Sequence, residues 1–62
     1  MKATITINMD DDALTTRPVE ELGYIFKYLY SNVGRYIARP GAELTLRDSN
    51  GNTVGKFEVT ED

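Results

Sequence analysis

The residues in this chain that could do chemistry are mostly oxygen donors. Asp10, Asp11 and Asp12 set three carboxylates side by side, and Asp48-Ser49-Asn50-Gly51-Asn52 groups polar side chains around a glycine. Hard cations such as Ca²⁺ or Mg²⁺ take such oxygens, but a calcium loop spaces its acids alternately, turns on a Gly at its sixth position and closes with a Glu at its twelfth. Neither run has that spacing. The aspartate triplet reads instead as a solvated loop of like charges, and the second run as a hairpin turn. Cysteine and histidine are both absent, which removes thiolate and imidazole ligands and the commonest catalytic base. No nucleophile–base pair and no phosphate-cradling glycine loop is visible. The chain is therefore expected to be a non-enzyme with no catalytic residue, no metal and no cofactor.

The remaining side chains of interest are aromatic. All four tyrosines, Tyr24, Tyr28, Tyr30 and Tyr36, fall between Val19 and Ile37. At helical spacing Val19, Leu22, Phe26, Leu29, Val33 and Ile37 form one apolar stripe wide enough to cover a small sheet. Tyr30 and Tyr36 flank that stripe, as ring-in, hydroxyl-out residues at the edge of a core. Tyr24 and Tyr28 lie one turn apart and almost opposite, with Arg35 on the same line and Ile25 and Asn32 bordering them. Tyr and Arg are enriched at interface hot spots. Tyr24, Ile25, Tyr28, Asn32, Arg35 and Tyr36 are thus the candidate interface, either a dimer seam or a target site. A solvated helix face is the plainer alternative, since much of any protein surface is apolar.

The elements that must position these residues can be read in order. Residues 2–9, KATITINM, alternate with Ala3, Ile5, Ile7 and Met9 on one side, as a half-buried strand does. A helix is expected over about 17–38. Thr15 or Thr16 can cap it, Pro18 suits its first turn, and Glu20 and Glu21 complement its positive end. Arg39-Pro40-Gly41 stops it, although Gly34 could end it earlier. Strands over 42–48 and 52–60 flank Asn50-Gly51, a strong signal for a two-residue type I′ hairpin. That turn sets Leu46 opposite Gly55, Leu44 opposite Phe57 and Ala42 opposite Val59 on one face, and Arg47 opposite Val54, Thr45 opposite Lys56 and Glu43 opposite Glu58 on the other. The order β-α-β-β predicts a single α+β domain, with one long helix on a three-stranded antiparallel sheet in the order 1-3-2. The alternative order, 1-2-3, would make the first two strands parallel. A helix of about 20 residues spans roughly 30 Å against about 20 Å for a six-residue strand, so Val33, Tyr36 and Ile37 are expected to overhang the sheet.

Sixty-two residues with no disulfide make a small core, for which self-association is a common remedy. A homodimer is expected on that ground. Ten acidic against seven basic residues give a net charge of −3, which argues against a generic nucleic-acid binder and for a protein partner. A nucleic-acid-binding or regulatory module using Arg35, Arg39 and Arg47 is the alternative. The exposed strand positions hold no aromatic residue on which bases could stack. No apolar run approaches a membrane span and the start has no signal-peptide core, so an intracellular protein is expected.

Three pieces of the chain, ATITINMD at the start, Pro18-Val19-Glu20-Glu21-Leu22 at the helix start, and Leu46-Arg47-Asp48 followed by Asn50-Gly51-Asn52 and Val54-Gly55, resemble a group of very short proteins encoded by bacteriophages and prophages. The likeness spans most of the chain and is specific mainly at its two ends. The helix departs from it, with four tyrosines and two glycines where such helices are rich in Leu, Ala, Arg and Glu. The resemblance implies a phage origin, residence in the host bacterial cytoplasm and little defined chemistry. An accessory factor that binds a host protein stoichiometrically, such as an inhibitor of a bacterial defence system of the anti-CRISPR kind, is the expectation it supports.

Overall fold

The computed structural model describes residues 1–36 and 39–61, leaving aside the side chains of Arg35 and Tyr36. The elements are β1 (Lys2–Ile7), α1 (Asp12–Thr16), α2 (Pro18–Tyr36), β2 (Glu43–Arg47) and β3 (Thr53–Thr60). The sheet is antiparallel in the order β1-β3-β2, which places the longest strand in the centre. No helix among the described residues is long and apolar enough to cross a membrane.

Short α1 was not expected. It occupies the stretch read as loop and cap, because Asp11 accepts from the Leu14 N–H (3.0 Å) and closes a single helical turn. That turn buries Ala13 and Leu14. Neither threonine caps α2; Thr15 Oγ1 donates instead to the Met9 carbonyl at 3.4 Å. Pro18 opens α2 as expected, and the helix runs through Gly34 to Tyr36 rather than stopping at the glycine. The expected extension over Ile37 and Ala38, like the acidic end at Asp62, lies outside the described residues. The chain then turns at Arg39-Pro40-Gly41-Ala42, where Ala42 N–H donates to the Arg39 carbonyl at 3.2 Å and Gly41 has φ +94°. Proline second and a positive-φ glycine third are what a type II turn requires.

The β2–β3 register agrees with the expected one from Glu43↔Glu58 to Leu46↔Gly55. The turn that sets it does not. Asp48 N–H donates to the Asn52 carbonyl and Gly51 N–H to the Asp48 carbonyl, both at 3.0 Å. The loop is therefore three residues, Ser49-Asn50-Gly51, with Gly51 at φ +89°. A register shift follows at once: Arg47 pairs with Thr53 and Leu46 with Gly55, so Val54 is an extra residue on β3. This bulge turns Val54 inward to 5% exposure, where the two-residue turn would have left it outside opposite Arg47. One bulge thus corrects for one added loop residue.

The core comprises Leu14, Ile25, Leu29, Leu44, Leu46, Val54, Phe57 and Val59. Gly55 is required on β3 because a Cβ there would run into the Thr6 carbonyl of β1. The expected helix stripe is corrected. Buried on α2 are Glu21, Ile25 and Leu29, with Leu22 and Asn32 half-buried. Val19 is 79% exposed, Phe26 48% and Val33 37%, while Tyr30, expected at the core edge, is 82% exposed. At 3.6 residues per turn the helix is rolled about 70° from the orientation its apolar residues alone suggest. Leu22 and Leu29 belong to both orientations, which is why periodicity did not separate them. Helix α2 finds its main sheet contact on β2.

Candidate functional site

The roll of α2 has an electrostatic cause. Glu21 points inward with 3% exposure and accepts from Ser49 N–H at 3.0 Å and from Ser49 Oγ at 2.7 Å. Arg17 Nη2 approaches the same Oε2 that accepts from Ser49 Oγ, at 3.4 Å. A buried carboxylate needs such donors, and the hairpin loop supplies them only if residue 21 faces it. The Ser49 donors hold the Glu21 carboxyl below its ordinary pKa, helped by Arg17 and opposed by burial and by Asp48.

Asp48 is the hub of that loop and is 1% exposed. Its Oδ1 accepts from Asn50 N–H and Asn52 N–H, both at 2.9 Å, and Oδ2 from Asn52 Nδ2 at 3.4 Å. Asp11 lies beside it. The Asp11 carboxyl has its pKa raised, first by the facing Asp48 carboxylate and then by burial and the charges of Asp48 and Glu21, against the lowering effect of the Leu14 N–H. Asp48 is lowered, first by its contact with Asp11 and then by the Asn52 and Asn50 donors. Two facing carboxylates do not ionise independently. The shifts favour protonation at Asp11 over Asp48, and Asp11 Oδ2 is buried without a hydrogen-bond partner. No group of acidic side chains among the described residues is arranged to hold a metal ion.

Tyr24 and Tyr28 stand on this scaffold. They are 47% and 36% exposed, and with Arg47, Asp48, Ser49, Asn50 and Gly51 they line an open hollow of about 300 Å³. A second shallow hollow of about 290 Å³ continues along the helix past Lys27 and Ser31. Because α2 is rolled, the two tyrosines lie beside the core face and not opposite it. Of the other candidate interface residues, Ile25 is corrected outright. It is 0% exposed and belongs to the core, since the roll that buries Glu21 buries the residue one turn on. Asn32 is half-buried and donates from Nδ2 to the Tyr28 carbonyl at 2.7 Å, a contact that ties it to its own helix. Arg35 and Tyr36 belong to α2 by their backbone, and their side chains lie outside the described parts.

Sequence reasoning missed Arg47 and the loop as the second wall of the hollow. It also missed Glu21 as the link between helix and loop. No local signal marked it, since adjacent acids lie about 100° apart on a helix and both can face solvent. No family model, curated protein or solved structure gives a significant match to this chain.

Proposed function

We propose that this chain is a protein-binding domain without catalytic activity, acting by stoichiometric occupation of a partner surface. One observation carries the reading: Tyr24 and Tyr28 are half-exposed on a helix face braced by the hairpin loop, and an arginine, Arg47, lines the open hollow with them. Half-buried aromatic rings with few rotamers to lose are efficient anchors, and Tyr and Arg dominate interface hot spots. A net charge of −3 favours a partner with a basic patch. The likeness to short phage and prophage proteins favours a host bacterial protein as that partner, with a defence complex as the class to test first.

The test compares capture of host proteins by the intact chain with capture by Tyr24→Glu/Tyr28→Glu. A protein retained at equimolar ratio by the first and lost by the second is expected. Gel-shift titrations on DNA and RNA form the counter-test. Binding there that weakens steeply with salt would overturn the reading in favour of a nucleic-acid module, and equal capture by both forms would overturn the tyrosine face as the binding site.

A further inference from the structure

The side of the molecule away from the tyrosine hollow is unfinished. Ala3, Ile5 and Ile7 pair with Val59, Phe57 and Gly55. Directly opposed residues in an antiparallel ladder point to the same face, so these three lie on the helix side of the sheet. Phe57 and Val59 are buried there, yet Ala3 is exposed and Ile5 is 45% exposed. The reason is the position of α2, which sits on β2. Its flank opposite Tyr24 and Tyr28, made of Val19, Phe26, Tyr30 and Val33, is exposed throughout.

Strand β1 is also a free sheet edge. Asn8 N–H donates to the Val54 carbonyl at 2.7 Å, which fixes the alternation of the ladder. Lys2, Thr4, Thr6 and Asn8 turn their backbone groups toward β3, and Ala3, Ile5 and Ile7 turn theirs outward. Among the described residues, little guards this edge. The six residues KATITI contain no proline, no acid and no bulge, and one lysine stands at the far end; natural edges are usually protected by just these devices. The other edge, β2, differs: it is five residues long, faces the Val54 bulge and lies under α2.

We infer that β1 pairs antiparallel with β1 of a second copy of this chain about a two-fold axis at Ile5. The register sets Ile5 on the partner copy's Ile5, Ala3 on Ile7 and Thr4 on Thr6, with Lys2 opposite Asn8. Apolar meets apolar on the inner face and threonine meets threonine on the outer. In a chain of net charge −3, this acid-free strip is one along which two copies approach with no like charges opposed. The outward backbone groups of Ala3, Ile5 and Ile7 are those this register needs. The product is a six-stranded sheet with both α2 helices on one face. Their Phe26 and Val33 flanks then border a single trough floored by Ala3 and Ile5 of both copies. Such an interface is isologous and closed, and it leaves both tyrosine hollows free, so it stands or falls independently of the proposed function.

A strand-edge seam is smaller than the roughly 1,600 Å² of a standard interface, so association is to be read over a concentration series reaching about 1 mM. Sedimentation equilibrium of the full chain is expected to show a monomer passing to a dimer, with amide exchange at Ala3, Ile5 and Ile7 slowing as concentration rises. The absence of cysteine makes single substitutions clean reporters. Under mild oxidation Ile5→Cys should give a disulfide-linked dimer, because paired Cα atoms about 5.5 Å apart suit a disulfide. Thr4→Cys should cross-link at least tenfold more slowly. Ile5→Lys should be monomeric with unchanged far-UV circular dichroism, and Tyr24→Glu/Tyr28→Glu should still dimerise. A chain monomeric throughout the series overturns the inference, and so does a dimer that Tyr24→Glu/Tyr28→Glu dissociates. Faster cross-linking at Thr4 than at Ile5 overturns the register. If Ile5→Lys does not fold, the exchange and cross-linking results decide alone.

Discussion

The two flanks of α2 differ in apolar content and in backing. On one, Tyr24 and Tyr28 stand against a loop tied to the helix by Glu21 and Ser49 and held in shape by Asp48. On the other, Val19, Phe26, Tyr30 and Val33 project beyond β2 with little beneath them. Sequence hydrophobicity ranks the second flank as core and the first as surface. The structure leaves the second flank the more exposed of the two, because the buried Glu21 carboxylate and its donors on Ser49 turn the helix toward the hairpin loop. Polar satisfaction can outrank apolar count when the alternative is an unpaired charge beside the core.

The largest effect is expected at the core line between the flanks. Ile25→Ala is expected to cost about 2–5 kcal/mol, as deletion of a fully buried aliphatic side chain does. Phe26→Ala, next in sequence but half-exposed, should cost at most about 1–2 kcal/mol in dilute monomer. Urea unfolding of both at one concentration measures the difference, and the reverse order would mean that the helix faces the other way. Gly55→Ala tests the β1 side: its Cβ meets the Thr6 carbonyl, so β1 should detach, with loss of amide protection at Thr4 and Thr6 by hydrogen exchange.

A smaller effect is expected on the tyrosine flank. Ser49→Ala removes the 2.7 Å bond to Glu21 and should cost about 1.5 kcal/mol, typical of a hydrogen bond to a charged acceptor. It should also loosen the hollow, seen as faster exchange at Gly51 and Asn52.

The acidic groups behind that loop give a pH signature. Glu21 and Asp48 are lowered from 4.5 and 3.8, so their stabilisation is present above those values and fades as pH falls through the folded ones. Asp11 is raised from 3.8 and works in the opposite sense: its favourable protonated contact is complete below 3.8 and is lost as pH rises through the folded value. Asp11→Asn keeps a good helix cap and removes the like charge. It should raise the melting temperature at pH 7 by a few degrees, with the gain shrinking toward pH 3.5. A gain that is constant with pH would dissociate Asp11 from Asp48.

Much of the fold was legible because it rests on local rules. The alternation in KATITI, the Pro40-Gly41 stop and the agreement of turn with apolar register all point to the same three strands and one long helix. The turn itself was read one residue short. Asn50-Gly51 permits either loop length, and only the inward turn of Val54, with the bulge that allows it, selects the three-residue form. The single-turn α1 was invisible because one cap and two buried residues make too short a pattern to register. Of the candidate site, Tyr24 and Tyr28 were found by type and spacing. Ile25 was misplaced, and Arg47 and the loop were missed, because they reach the helix from a distant part of the chain.

What the sequence determined by itself, then, was the inventory: which segments are strand or helix, and that histidine and cysteine chemistry is absent. The facing of α2, the burial of Glu21 and Asp48, and the exposure of Ile5 and Phe26 were decided only in three dimensions. The physical reason is that periodicity reports how wide an apolar stripe is, whereas the roll of the helix depends on where donors from a distant loop arrive. Ser49 brings those donors to Glu21 from 28 residues away.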